Sequence, residues 1–481
     1  MKLTHHLFDK GIKIHIIGIG GIGMSGLAKV LHANNVYVQG SDKSCNNQVV
    51  ELKKLGVKVF TGHAEENVNG ISIVVKSSAI KNDNIEILSA TKLKKPVISR
   101  AELLSNMMYG GYNISITGAH GKTSTTSMMF SLLRDNPKEP SVLCGGIINE
   151  IDSNAFNGRD NVNIIEADES DGTFLSIPSN IGIITNIDKE HLDYYGSMES
   201  IIAMNKLFVD KVLLNDMLIS CGDCDYLSEI NLLYKNNPKF ITYGIESKDF
   251  DVVAKNISSS KKGLLFDIEF SQKFQKITKT DSDCMKDVQT NMFGRHNILN
   301  FLAAISVSKF MKCNEERTRL AIMGYKGVQR RFSFLGEKNG ITFIDDYAHH
   351  PKEIEATLLV AKDYAKQRGG NVVVIFEPHK YSRFTELYQD FFNSLLAADS
   401  IIVLDVFAAG EKNNSGVDII KFAKEFDDKY NATYCSDTRD IGVFIDDNVK
   451  ADDYLVFMGA GDISKIAKNV FQSFGILGEN S

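Results

Sequence analysis

Short apolar runs alternate with helix-compatible stretches along most of the chain, and each run ends in glycine or polar residues. Ile14 to Ile17 is a buried-type strand that enters Gly18-Ile19-Gly20-Gly21-Ile22-Gly23, and an apolar-faced helix follows to Val30. A second strand, Val36 to Gln39, ends near Asp42, and a third, Ile71 to Val75, is followed by Lys76-Ser77-Ser78-Ala79-Ile80. Val97-Ile98-Ser99-Arg100 precedes a helical stretch, Ala101 to Met108, and Gly110-Gly111 marks a domain boundary. From Tyr112, Ile114 and Ile116 alternate with polar residues as in a strand that stops at Thr117. Gly118 to Thr123 then turns the chain, and Ser124 to Arg134 suits a helix. Further strands are predicted at Asn163-Ile164-Ile165, Ile181 to Thr185, Ile341 to Ile344, Val372 to Phe376, Ile401 to Leu404 and Tyr454 to Met458. Helices are predicted over Ile298 to Val307, with Asn297 placed as its N-cap, and over Lys352 to Tyr364 directly after Pro351. This alternation predicts an α/β protein whose parallel sheets are covered on both faces, with ligands at the C-terminal edges of the strands. Residues from roughly 210 to 290 are rich in Lys and Asp with short strands, and carry no chemical signal.

At 481 residues the chain is too long for one core, so two to four domains are expected. Its 43% hydrophobic and 24% charged residues are those of a soluble globular protein, and a net charge of -6 argues against general nucleic-acid binding. No apolar run is long enough to cross a bilayer, and Met1 to Gly11 has no signal-peptide core, so a cytoplasmic protein is expected. Seven scattered cysteines fit reduced thiols; the lone Cys221-Gly-Asp-Cys224 lacks the second pair of a zinc site.

The chemistry concentrates at the strand ends. A strand, a glycine turn and a helix N-terminus make a phosphate cradle at Gly118-Ala119-His120-Gly121-Lys122-Thr123-Ser124, a shortened GxxGKT. There Lys122 is expected to reach the terminal phosphates and the Thr123 hydroxyl to ligate magnesium. The Gly18 to Gly23 turn fits a dinucleotide, with Asp42 on a ribose, but equally the diphosphate of any nucleotide, UDP included. Downstream of the phosphate turn, Glu166-Ala167-Asp168-Glu169-Ser170-Asp171 sits where a magnesium ligand belongs, and Asp188-Lys189-Glu190-His191-Leu192-Asp193 closes the next strand. Asn297 also reads as a purine contact, and Arg330-Arg331 precedes Asp345-Asp346-Tyr347-Ala348-His349-His350-Pro351. Adjacent histidines beside acids suggest zinc, but the helical spacing of a zinc site is missing, which favours substrate contact or a hydrogen-bonding role.

Taken together, GIGGIGMSGLA, TGAHGKTST, EADESDGTFL, TNIDKEHLD, GRHNILN, GVQRRF, DDYAHHP and MGAGDI resemble, in order and across nearly the whole chain, the motifs of the Mur ligases. EADESD and DDYAHHP favour the alanine-adding branch. The resemblance implies a Rossmann-like UDP-binding domain over 1–109, a central P-loop ATPase-like domain over 110–324 and a C-terminal Rossmann-like domain over 325–481. It implies ATP-dependent joining of L-alanine to UDP-N-acetylmuramate through an acyl phosphate, an early cytoplasmic step of peptidoglycan synthesis. It further implies ATP and Mg2+ as cofactors and a monomer or homodimer.

Carried over by position, the resemblance gives Lys122 to the transferring phosphoryl group, and Thr123, Glu166 and His191 to magnesium. His296 and Asn297 correspond to an adenine-contacting pair, Arg331 to a residue reaching ATP, and Asp345 to one near the nucleotide. Tyr347 and His349 correspond to residues that recognise alanine, with Arg383 assisting at its carboxylate or at the intermediate. Gly18, Gly20, Gly21, Gly23, Met24, Ser25, Asp42, His63 and Ser78 would serve UDP, and Gly145, Gly146 and Asn154 the muramoyl arm. The chain departs from the family at Lys380, where arginine is usual and an ammonium cannot form the same fork, and at Ala119, which replaces a threonine. Lys206 stands where related ligases carry a carbamylated lysine. Two other readings use the same residues: a recycling ligase that attaches a preformed peptide, and an NAD-dependent oxidoreductase built on the Gly18 turn.

Overall fold

A computed structural model describes residues 11–136, 138–170, 172–245, 247, 249–260, 263–414, 416–426 and 430–474. Asp171 and most of the N-terminal segment examined for a signal sequence lie outside the described residues. The chain divides into two compact units. The first holds Met1–Ser259, Gly263–Asn291 and Asn297–Gly327; the second holds Val328–Ser481 with Ser260–Lys262 and Met292–His296.

The first unit contains two sheets. In one, five parallel strands run in the order Lys58–Thr61, Tyr37–Asp42, Lys13–Ile17, Ile73–Lys76, Val97–Ser99. Ile14, Ile16 and Ile17 are wholly buried, as expected for a strand covered on both faces. The helix Arg100–Met108 leaves this sheet through a capping box, with Ser99 Oγ accepting from Glu102 N and the Glu102 carboxylate accepting from Ser99 N. The other sheet has ten strands. At its centre Tyr112–Thr117 lies parallel to Ile181–Ile184 on one side and Val162–Glu166 on the other, so their three C-terminal ends open side by side. Met217–Cys221, Phe240–Ile245, Val252–Ser260, Gly263–Phe270 and Cys284–Thr290 extend it, giving form to the region from which little could be read.

The second unit is built on six strands in the order Ser333–Lys338, Ile341–Asp346, Tyr454–Met458, Val372–Phe376, Ser400–Val403, Thr433–Tyr434. Only the first pairing is antiparallel. All of Val372–Phe376 and Tyr454–Met458 is buried. The helix Pro351–Arg368 begins on its proline, whose missing N–H costs nothing there, and stops at Gly369 with φ 80°. Among the described residues no helix is long and apolar enough to cross a membrane.

One local expectation is corrected. The helix expected to start after Asn297 starts at Arg295, so Asn297 lies in its first turn and is not the N-cap. Gly294, at φ 88°, turns the chain earlier than the apolar pattern indicates.

Candidate active site

The phosphate turn follows directly from the central strand. Gly118 (φ 126°) has no room for a side chain: a Cβ there would lie 2.3 Å from Thr185 Oγ1 and 2.7 Å from Asn186 O. Those two residues end the neighbouring strand and clamp the turn. Thr185 Oγ1 and Asn186 Nδ2 donate to His120 O at 2.6 and 2.9 Å, and Asn186 Oδ1 accepts from His120 N at 2.8 Å. Gly121 (φ 80°) precedes the helix Lys122–Arg134, which begins two residues before its apolar pattern does and so places Lys122 and Thr123 in its first turn. Asn300 braces the turn from behind: its Oδ1 accepts from Thr125 Oγ1 at 3.1 Å and would lie 2.8 Å from a Cβ on Gly121. Asn300 escaped the sequence reading, although it stands one helical turn from Asn297 on the same face.

Lys122 Nζ donates to Glu169 Oε1 at 2.9 Å and to Ala119 O at 3.0 Å. Burial alone would lower this ammonium, but the carboxylates of Glu169, Asp168 and Glu166 outweigh it and hold the pKa above the ordinary lysine value. Thr123 Oγ1 donates to Glu166 Oε1 at 2.9 Å, and Gly145 N donates to Glu166 Oε2 at 2.6 Å. Two of the residues expected at magnesium therefore touch. His191, in the left-handed region (φ 57°), stands beside Glu169 and Glu190 instead, its Nε2 3.6 and 3.9 Å from their carboxylate oxygens. Glu169, Glu190 and His191 each offer a ligand atom, all within 4.8 Å of one another. This oxygen-rich set with one imidazole suits a divalent cation, and the hydroxyl and carboxylate of Thr123 and Glu166 suit magnesium. Lys206 is spent on Glu229, at 2.5 Å.

In the first sheet, the loop from Gly18 is sewn to its neighbours. Gly18 N and Ile19 N donate to Ser41 O, and Gly20 N donates to Asp42 Oδ2 at 2.9 Å. Asp42 thus clamps the loop through the N–H that a dinucleotide reading would leave for phosphate. Gly23 lies against Arg100, whose Nη2 is 3.7 Å from Asp168. Asn154 reaches the loop helix: its Nδ2 donates to Ile22 O at 2.6 Å, and its Oδ1 accepts from buried Lys29 Nζ at 2.9 Å. Met24 and Ser25 are buried beneath the turn, whereas Ser78 is exposed. Gly146 continues the strand Ser141–Ile148 beyond Gly145. His63 follows Lys58–Thr61, with its Nδ1 3.0 Å from Ser41 Oγ.

In the second unit, the strand Ile341–Asp346 ends in two buried acids. Asp345 Oδ2 accepts from Ser464 Oγ at 2.5 Å, while Oδ1 has no hydrogen-bond partner among the described residues. Asp346 accepts from Phe332 N at 2.6 Å and Ala348 N at 2.7 Å, and burial lifts it to about 6. Tyr347 lies under the guanidinium groups of Arg330 and Arg331, 4.8 and 5.3 Å from the ring centre. Arg331 also pairs with Glu353 at 3.5 Å. His349 Nδ1 donates to Tyr347 O at 2.9 Å, and its ring meets that of His379 edge-on at 5.9 Å. His379 stacks on Phe407, and burial, with His349, Arg383 and Lys380 nearby, pushes it down to about 4. Arg383 keeps a buried Nη1 without a partner among the described residues. Tyr347, His349 and Arg383 thus gather with His379, which the sequence reading passed over. Lys380 holds φ 69° and donates its N–H to Phe407 O. His296 stands against Gly294 in the same unit.

Comparison with known proteins follows this geometry. The profile "Mur ligase family, catalytic domain" matches residues 13–112, "Mur ligase middle domain" residues 116–308, and "Mur ligase, glutamate ligase domain" residues 330–461. The UDP-N-acetylmuramate–L-alanine ligase of Rickettsia bellii is 40% identical over 474 residues, covering 96% of this chain and 97% of that one. That of Rickettsia felis is 40% identical over 460 residues, covering 95% of each. Among solved structures, UDP-N-acetylmuramate-alanine ligase MurC from Thermotoga maritima superposes with a TM-score of 0.80 at 27% identity, over 97% of this chain and 100% of that one. A murein peptide ligase from Psychrobacter arcticus shares the fold, with a TM-score of 0.71 at 21% identity over 97% and 99% of the two chains.

Proposed function

Because the chain belongs to the Mur ligase family, we propose that it joins L-alanine to UDP-N-acetylmuramate, cleaving ATP to ADP and phosphate. The observation that carries this reading is the glycine turn that presents Lys122 and Thr123 on a helix N-terminus, with Glu166 against the threonine. A carboxylate is a poor electrophile. Its oxygen therefore first attacks the γ-phosphorus of ATP, the bond to the bridging oxygen breaks, and ADP leaves an acyl phosphate. The alanine ammonium gives up one proton, its amine nitrogen attacks the acyl carbon, the carbon–oxygen bond to phosphate breaks, and a second proton leaves the nitrogen as the amide forms.

The chain's residues mainly hold charged reactants in line and offset the charge that moves between them. Lys122 exchanges Glu169 for the γ-phosphate, which carries more negative charge than one carboxylate. Backbone N–H groups of the turn and the helix end face the neighbouring phosphates. Thr123, Glu166 and His191 would hold magnesium, with Glu169 and Glu190 beside the imidazole, and the ion would draw electron density from the phosphate oxygens. Asp42 fixes the loop that receives the UDP diphosphate. In the second unit, Arg383 has the unspent donor that an alanine carboxylate requires, and His379 stays neutral beside it. Phosphate release from ATP tests the proposal. It should require UDP-N-acetylmuramate and rise on addition of L-alanine, not of a preformed tripeptide. ATP left uncleaved with all reactants and magnesium present would refute it.

A further inference from the structure

Beneath the edge of the first sheet lies a buried carboxylate that the proposed reaction does not use. Glu86 is wholly inaccessible to solvent and sits at the start of the helix Ile85–Lys92. Its Oε1 accepts from Asn67 Nδ2 at 2.6 Å, and its Oε2 from Ser41 Oγ at 2.5 Å. His63 Nδ1 and His15 Nε2 lie 3.2 and 3.4 Å from the same Oε2. Burial alone would raise this acid, but the hydrogen bonds from His15, Ser41 and Asn67 outweigh it and hold it at about 2. A buried charge costs several kcal/mol unless its lone pairs are filled, and here they are filled from separate loops.

The network also fixes a proton. Ser41 Oγ gives its hydrogen to Glu86, so it can only accept from His63 Nδ1, and Glu86 can only accept. Both neighbours of Nδ1 therefore demand Nδ1–H. His63 Nε2 is buried and has no partner among the described residues. A hydrogen there would be a buried donor without an acceptor among the described residues, so the hydrogen-bond pattern leaves Nε2 with a bare lone pair. Ser41, which His63 touches, is also the residue whose carbonyl holds Gly18 N and Ile19 N, so the imidazole hangs at the edge where the diphosphate loop begins.

We propose that Glu86 is a positioning residue that locks His63 in the Nδ1–H tautomer, so that Nε2 accepts a hydrogen bond from the N3–H of uracil and selects uridine over cytidine. The proposal rests on the reading that a UDP-sugar is the substrate. Uracil carries a hydrogen on N3, whereas cytosine carries a lone pair there, which would face the lone pair of Nε2. A ribose hydroxyl could also donate, but a contact to it would be indifferent to the base.

Nitrogen-15 spectra of histidine-labelled protein, with the His63 signal assigned by its loss in His63→Gln, report the tautomer without ligand. Titration with UDP and CDP reports the selectivity. Expected are a protonated Nδ1 and UDP binding about tenfold tighter than CDP, the value of one buried hydrogen bond. In Glu86→Gln the KM for UDP-N-acetylmuramate should rise about tenfold with kcat retained, and the UDP preference should shrink to a few-fold. A clamp that only stabilised the fold would leave that preference unchanged. A proton on Nε2, or equal binding of UDP and CDP by the unaltered chain, overturns the proposal even where Glu86→Gln does not fold. A protonated Nδ1 without any UDP binding would instead remove the UDP-sugar reading, and the recognition inferred from it.

Discussion

Gly145→Ala is the substitution whose consequence follows most directly from distances. A Cβ at position 145 would stand 2.5 Å from Glu166 Oε1 and 2.9 Å from both Cδ and Oε2, against the 3.4 Å at which ordinary contact begins. The backbone at 145 is not in the left-handed region, so an alanine brings no strain of its own. The carboxylate must instead retreat by roughly 0.9 Å, the difference between 3.4 and 2.5 Å. It is held by Gly145 N at 2.6 Å and Thr123 Oγ1 at 2.9 Å, and a shift of that size breaks at least one of these bonds. A hydrogen bond to a charged group is worth about 1.5–3 kcal/mol, so the positioning of Glu166 should weaken by about 10- to 100-fold. The assay is a magnesium titration of ATP cleavage with UDP-N-acetylmuramate and alanine saturating. The half-saturating magnesium concentration should rise by that factor, while the melting temperature falls by only about 2–4 °C, because position 145 is exposed, its backbone admits alanine and one hydrogen bond is lost. If the magnesium requirement is unchanged and only the KM for UDP-N-acetylmuramate rises, Gly145 serves the muramoyl arm alone and the argument from Glu166 is wrong.

Other consequences are equally concrete. Lys122→Ala should abolish ligation while UDP-N-acetylmuramate still binds, and should cost about 3–5 kcal/mol of stability by leaving Glu169 buried and unpaired. Adding Glu169→Gln should restore the melting temperature but not turnover, so a double variant that regains turnover would contradict the role of the lysine. Asp346, with a folded pKa of about 6 against an ordinary 3.8, contributes stability that is complete below pH 3.8 and lost as pH rises through about 6. That change amounts to about 3 kcal/mol. Urea midpoints measured from pH 4 to 7 should fall less steeply with rising pH in Asp346→Asn, and equal slopes would place the titration elsewhere. His349→Ala should raise the KM for alanine more than that for ATP; the reverse order would remove His349 from the amino-acid pocket.

Much of the fold was legible because parallel strands buried on both faces leave continuous apolar runs, as in Ile14 to Ile17 and Val372 to Phe376, each closed by glycine or acids. The strands from Met217 to Thr290 were less legible. Leu265 and Glu269 face outward between buried neighbours in Gly263–Phe270, and short half-exposed strands carry a weaker pattern. At the site, Thr123 and Glu166, which the motifs name together, meet at 2.9 Å, while Lys122 pairs with Glu169 at 2.9 Å. His191 does not show its partners in sequence, because a left-handed backbone at that residue decides which way the imidazole points. Asp42 was legible as a nucleotide contact at the end of the second strand, whereas its hydrogen bond from Gly20 N appears only in the fold. Glu86 gave no signal at all: its partners lie at positions 15, 41, 63 and 67 and meet only through the strand order of the first sheet.

The glycine-rich turns share one feature that bears on how the chain waits for its substrates. Each has an internal carboxylate on the donors that a glycine turn offers to an anion: Asp42 on Gly20 N, Glu169 on Lys122, and Glu377 on Asp462 N and Ile463 N at the start of the helix Ile463–Ser473. An unfilled cluster of N–H groups or a bare buried ammonium would be costly, so an internal anion stabilises the empty turn. Whether a ligand can replace it depends on what the carboxylate loses. Glu169 has Lys122 as its main partner, and a γ-phosphate with more charge can take that ammonium, particularly if a divalent cation then occupies the carboxylate. Glu377 is in a different position. It is buried, its pKa is raised by that burial, and its hydrogen-bond partners among the described residues are backbone N–H groups. A phosphate entering that turn would strand a desolvated carboxylate, so the third glycine turn is closed by its own chain.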